Sequence, residues 1–147
     1  MTILPVTEND FNDWLQLALE LWPDYEPEEM QSVTSAIAQS PKETAFIVRD
    51  DSGAPIGFMN LSLRYDYVPG ATQKPVAYVE GLYVRPAYQQ QGIGRQLIQR
   101  AEQWAQEQGC RELASDVLID NTASAEFHNK VGFKEEERTI FFIKTLV

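Results

Sequence analysis

The chain has 147 residues, 44% of them hydrophobic, with 22 acidic against 12 basic side chains and a net charge of −10. That is enough apolar material for one core and too little for two, so a single domain over residues 1–147 is expected. Such acidity argues against nucleic acid or an anionic membrane as partner; it would draw in a polycationic ligand, although charge alone is explained more simply as a means of solubility. No basic-then-apolar leader and no run of about 18 apolar residues occurs, which makes the cytoplasm the expected location. The lone cysteine, Cys110, offers neither an internal disulfide nor a metal cluster, and no metal site is expected.

In chain order, residues 3–6 read as a short strand, and Thr7-x-x-Asp10 as a capping box that opens a helix. Phe11, Trp14, Leu15, Ala18, Leu21 and Trp22 recur at helical spacing until Pro23, and a weaker helix follows over residues 27–39. Residues 45–49 and 55–67 form two predicted antiparallel strands about the turn Asp50-Asp51-Ser52-Gly53, and a polar loop over residues 68–75 precedes a strand at 76–84. Plain alternation in that strand sets Tyr78, Glu80 and Leu82 on one side and Ala77, Val79 and Gly81 on the other. A glycine directly after Glu80 also permits a bulge or a close backbone approach. A helix over 93–108 ends at Gly109; a strand at 113–118 contains Asp116; a short helix spans 122–131; and a last strand covers roughly residues 138–146. The predicted order is β, α, α, β, β, β, α, β, α, β.

The stretch Gln89-Gln90-Gln91-Gly92-Ile93-Gly94-Arg95 joins a predicted strand to a predicted helix. Two glycines one residue apart let the backbone approach a ligand, and amides at a helix N-terminus are a phosphate site. Neither the dinucleotide fingerprint nor the Gly-Lys-Ser/Thr of a P-loop is present. The longer segment VEGLYVRPAYQQQGIGRQLIQRAEQWA resembles the coenzyme A pyrophosphate-binding motif of the GNAT superfamily of N-acetyltransferases, and DNTASAEFHNKVGF resembles its second cofactor-binding helix. Together with DWLQLALELWPDY, LRYDYV, PVAYVEGLYV, ASDV and GFKEEER, the resemblance extends over essentially the whole chain to the bacterial aminoglycoside 6'-N-acetyltransferases.

The resemblance implies an α/β (α+β) GNAT fold: a mixed, strongly twisted sheet of about six or seven strands, about four helices, and acetyl-CoA held where strands 4 and 5 splay apart. Backbone amides at Leu82, Tyr83 and Val84 are then expected on the pantetheine arm and thioester carbonyl, and those of Gln90, Gln91, Gly92, Ile93, Gly94 and Arg95 around the pyrophosphate, with Asn121 touching the cofactor. Acyl transfer needs donors at the developing oxyanion, and a phosphate cradle needs free amides. Trp22, Tyr25, Tyr67, Glu80, Asp116 and Glu137 match positions that contact the antibiotic, and a homodimer is implied.

A pocket for a polyamine should combine carboxylates with apolar walls, and mid-strand Glu80 and Asp116 are costly to bury without a partner or a purpose. Either one is a candidate base for the attacking amine; an ion pair or a solvent-facing edge is the competing explanation. Glu137 stands in the run Glu135-Glu136-Glu137, which also reads as a solvated face. His128 occupies the position where the superfamily's pattern has a tyrosine that protonates the departing thiolate, so it is a candidate acid or a structural histidine. The expected activity is direct transfer of acetyl from acetyl-CoA to an aminoglycoside. Acetylation of another cation, such as spermidine or a protein N-terminus, and a non-catalytic acetyl-CoA-binding module are the rivals.

Overall fold

The computed structural model describes all residues from Met1 to Val147. The elements are β1 (Thr2–Pro5), α1 (Phe11–Leu21), α2 (Pro27–Gln39), β2 (Glu43–Arg49), β3 (Pro55–Arg64), β4 (Val76–Val84), α3 (Ile93–Glu107), β5 (Leu113–Ser115) and α4 (Thr122–Lys130). The five strands form one mixed sheet in the order β1-β2-β3-β4-β5, antiparallel until the parallel β4–β5 pair. Four helices and a mixed sheet match the expected fold class; the strand count of six or seven does not.

The helix limits follow from local chemistry. Asp10 accepts from the Thr7 amide at 2.9 Å, and Glu29 from the Glu26 amide at 3.1 Å with Pro27 opening α2, so each helical segment begins on a carboxylate cap. Gly109, at φ +81°, closes α3: the Cys110 amide donates back to the Ala105 carbonyl at 2.9 Å. Central β3 is buried on both faces, because α1 and α2 cover one side of the sheet and α3 the other. Trp14, Leu17, Met30, Ile47 and Phe58 fill the first layer; Phe46, Met59, Leu61, Val79, Leu97 and Ile98 fill the second. Trp14 also donates its indole N–H to buried Asn60 at 3.0 Å, fastening α1 to β3.

Three expectations need correction. β3 ends at Arg64 rather than residue 67. β5 has only three residues, so Asp116 lies just beyond the strand instead of inside it. The expected last strand is not formed: residues 134–147 carry neither strand nor helix, and Phe141, Phe142 and Ile143 are 91%, 91% and 98% exposed. A β-prone sequence becomes a strand only when its backbone groups find an edge, and this segment pairs with none in its own chain.

Candidate active site

A bulge in β4 organises the site. Leu61 pairs with Val79 and Asn60 with Gly81, so Glu80 is the extra residue, as the glycine after it allowed. The bulge reverses the alternation. Leu82 and Val84 pack with Ala77 and Val79 on the α3 side, whereas Gly81 turns toward α1 with Tyr78 and Glu80. The expected grouping of Leu82 with Glu80 is thereby corrected. A Cβ on Gly81 would lie 2.4 Å from Cη2 and 2.7 Å from Cζ2 of Trp22, whose ring meets Phe58 edge-on at 5.8 Å. Trp22 therefore rests directly on the β4 backbone beside Glu80.

The two candidate carboxylates belong to one network. Glu80 Oε2 accepts from Ser62 Oγ at 2.5 Å and from Arg64 Nε at 2.9 Å; Oε1 accepts from Arg64 Nη2 at 2.7 Å. Burial pushes the Glu80 carboxyl up, and the hydrogen bonds from Arg64 and Ser62 outweigh it, leaving it below the ordinary glutamate value. The Arg64 guanidinium lies 3.4 Å over the Tyr78 ring, and the Tyr78 hydroxyl donates to Asp116 Oδ2. Burial and that bond hold the phenol far above its usual range. Arg64, Ser62 and Tyr78 were missed in the sequence. Their spacing shows only that Ser62 and Arg64 share one face of β3; that this is the sheet face of Tyr78 and Glu80 follows from the β3–β4 register, which the sequence does not display.

The rim residues are more open. Tyr25, in the turn after Trp22, is 45% exposed, and Tyr67 is 76% exposed with its hydroxyl 3.4 Å from Glu137 Oε1. Glu137 is thus held by Tyr67 and by Thr139, whose hydroxyl donates to Oε2 at 2.7 Å.

The opposite side of β4 carries the splay. β5 pairs only along Ala77 to Val79, so from Glu80 onward the outer edge of β4 has no strand beside it. The Arg85 amide donates to Ile56, and the Tyr83 carbonyl points at Gly57, both toward β3. Alternation then directs the backbone groups of Leu82 and Val84 outward and the Tyr83 amide toward β3, unlike the expectation that all three amides face the cofactor; the Val84 carbonyl accepts from the Gln89 side chain at 2.8 Å. At the turn, Gln90 and Gly92 are left-handed, with φ of +61° and +84°. None of the amides from Gln90 to Arg95 donates to a backbone carbonyl; the first to do so is that of Gln96, to Gly92 at 3.1 Å. This is a nest of free donors at the head of α3 and fits a phosphate group. Gly94 sits against Phe127, 2.9 Å from where its Cβ would be, which places α4 beside the turn.

On α4, Asn121 is the N-cap, its Oδ1 accepting from the Ser124 amide at 3.2 Å. His128 has both nitrogens engaged. Nδ1 is 2.7 Å from the Ser124 carbonyl, which can only accept, so Nδ1 carries a proton, and Nε2 shares a hydrogen bond with Ser115 Oγ at 2.8 Å. Between the two sides of the site, Glu20 near the end of α1 accepts from Arg85 at 3.0 and 2.7 Å and from the Tyr83 hydroxyl at 3.1 Å. The Arg85 bonds hold the Glu20 carboxyl below the ordinary value despite its partial burial.

A family model described as "Acetyltransferase (GNAT) family" matches residues 11–133. The chain belongs to the GNAT acetyltransferase family. Among curated GNAT relatives, aminoglycoside N(6')-acetyltransferase type 1 of Serratia marcescens is 42% identical, with 94% of each chain covered. The enzyme of the same name from Acinetobacter baumannii is 38% identical, with 99% of each covered. A solved aminoglycoside acetyltransferase bound to a bisubstrate analogue, CoA-S-monomethyl-acetylneamine, superposes with a TM-score of 0.93 at 36% identity, covering 99% of this chain and 98% of that one.

Proposed function

We propose that this GNAT chain is an aminoglycoside 6'-N-acetyltransferase that moves acetyl from acetyl-CoA to the 6'-amino group of the antibiotic within a ternary complex, and thereby confers resistance. One observation carries the reading: at a single bulge, β4 turns Glu80 and the Trp22 platform to one face and begins its unpaired edge at the same residue. An anionic, aromatic pocket and a row of free backbone donors thus meet where amine and thioester must meet. Relatives at 35–42% identity bear the name of this activity, and a neighbour was solved with coenzyme A joined to an aminoglycoside fragment.

In this reading the amides of Gln90 to Arg95 cradle the pyrophosphate, and those of Leu82 and Val84 bind the pantetheine arm and polarise the thioester carbonyl, with the neighbouring Tyr83 fixing the strand through Glu20. Asn121 and α4 border the cofactor. Trp22, Tyr25 and Tyr67 form walls for the sugar rings; Glu80, Asp116 and Glu137 receive ammonium groups. With three donors already on Glu80, Asp116 is the base: its Oδ1 takes the proton of the attacking amine, directly or through a water. The freed nitrogen lone pair attacks the carbonyl carbon, the C–S bond breaks, and the second proton of that nitrogen passes to the departing thiolate, leaving a neutral amide and coenzyme A thiol. No acetyl-enzyme forms. Cys110 is buried, its thiol pushed up by that burial, at the far end of α3 from the glycine turn.

The test is release of coenzyme A, followed with a thiol reagent, for tobramycin, for a matched acceptor lacking the 6'-amine, and for spermidine. Turnover on tobramycin alone supports the proposal. Turnover on spermidine alone, or none at all, refutes it in favour of another amine or a binding module.

We further propose a cytoplasmic homodimer in which residues 138–146 pair with a second copy. Support comes from the exposed apolar residues Ile140, Phe141, Phe142 and Ile143, from the outer edge of β5, which has no strand beside it, and from a groove next to that edge whose lining mixes Ile98, Leu113, Val131 and Phe133 with Glu102 and Arg111. Sedimentation of the full chain and of a chain ending at Lys134 should give a dimer and a monomer; a monomeric full chain refutes this.

A further inference from the structure

A pocket that receives ammonium groups contains a cation of its own, and its geometry assigns it a task. An ionised carboxylate has roughly four lone-pair sites. On Glu80, Ser62 Oγ and Arg64 Nε take the two on Oε2, and Arg64 Nη2 takes one on Oε1. One acceptor direction remains, on Oε1. The guanidinium fork sets the carboxylate plane, since a two-point contact fixes orientation where a lysine ammonium would fix only distance. The fork itself sits 3.4 Å over the Tyr78 ring, and that ring is fixed through its hydroxyl on Asp116. Arg64 therefore ties the two carboxylates into one rigid frame, reaching Glu80 directly and Asp116 through Tyr78.

We propose that Arg64 is a positioning residue for the acceptor: it aims the last open lone pair of Glu80 at a substrate ammonium and reserves the free oxygen of Asp116 for the proton. This rests on the acetyltransferase reading above and adds a division of labour between the carboxylates. Glu80 is a fixed anion that orients; Asp116 is the group that exchanges a proton. Arg64 also helps keep Glu80 ionised, because without its bonds only the Ser62 hydroxyl opposes the burial of Glu80.

The experiment compares wild type, Arg64→Gln and Arg64→Lys in initial-rate assays with tobramycin and acetyl-CoA over a pH series, with thermal melts of each protein. Turnover by the wild type is the prerequisite; its absence defeats the functional proposal and is thereby distinguished from failure of this one. Arg64→Gln should raise KM for tobramycin by about tenfold or more and leave KM for acetyl-CoA within about twofold. The acid limb of kcat/KM for tobramycin should also move up by about one pH unit or more. Arg64→Lys, keeping charge but not the fork, should restore the limb while KM for tobramycin stays raised. An unmoved acid limb with equal losses toward both substrates overturns the proposal and leaves Arg64 a structural residue. A lowered KM for tobramycin overturns it differently, making Arg64 a competitor for the ammonium site. If Arg64→Gln does not fold, Arg64→Lys decides: KM for tobramycin equal to wild type refutes the positioning role.

Discussion

Gly81→Ala isolates the contact between the bulge and the acceptor wall. The added methyl would lie 2.4 and 2.7 Å from two carbons of the Trp22 ring, whereas carbon contacts relax to about 3.5–4.0 Å. The ring must retreat by about 1 Å, yet it is pressed between Gly81 and Phe58. Overpacking of this kind costs about 1–3 kcal/mol, and because the ring is only partly buried the lower half, about 1–2 kcal/mol, applies. For a chain of this size that is a fall of about 3–6 °C in Tm. Denaturant titration and steady-state kinetics should show this loss together with a raised KM for the aminoglycoside and an unchanged KM for acetyl-CoA. Trp22→Phe removes the two clashing carbons, so in that background Gly81→Ala should cost about 1 kcal/mol less. Additive losses in the double-mutant cycle, or an unchanged acceptor KM, would refute the idea that Gly81 exists to seat Trp22.

The remaining predictions concern the other parts of the site. Gly92→Ala forces a side chain into a left-handed position, and Gly94→Ala pushes Phe127 off the turn; calorimetry should show each weakening acetyl-CoA binding by about tenfold, while Tm falls by only a few degrees. His128→Ala, with both ring nitrogens spent on Ser124 and Ser115, should cost stability and leave kcat within about threefold. A loss of kcat shared equally with Ser115→Ala would instead make the pair a proton relay. Glu20→Gln probes linkage. The Glu20 carboxyl is held below its ordinary value in the fold, so its ion pair stabilises fully above the ordinary glutamate range and is lost as pH falls through the folded value. The variant should melt lower than wild type at neutral pH, and the gap should close on acidification; a constant gap at all pH values contradicts the assignment.

Much of the fold was legible because its signals are local. The apolar stripe before Pro23, the Pro27 start of α2 and the Gly109 stop of α3 each state a boundary in a few residues. The glycine turn was legible for the same reason. What escaped was set by partners distant in sequence. Ser62 and Arg64 become part of the site only through a register with β4 that the chain order does not disclose. Asp116 fell outside its strand because β4 has no partner beyond Val79 there. The segment 138–146 has every local property of a strand, yet pairing requires an edge, and an edge belongs to the assembly rather than to the segment.

The extra residue in β4 has a consequence for how such an enzyme can change. Because the strand's parity reverses at Glu80 and Gly81, positions 78, 80 and 81 lie on the face proposed for the amine, while Leu82 and Val84 anchor to the opposite core and, in the proposed function, lend only backbone to the acetyl donor. Substitutions that retune which amine is accepted can therefore accumulate on one face without disturbing the donor's hold. A single-residue deletion at the bulge would rotate the whole distal half of the strand and should impair acceptor and donor binding together.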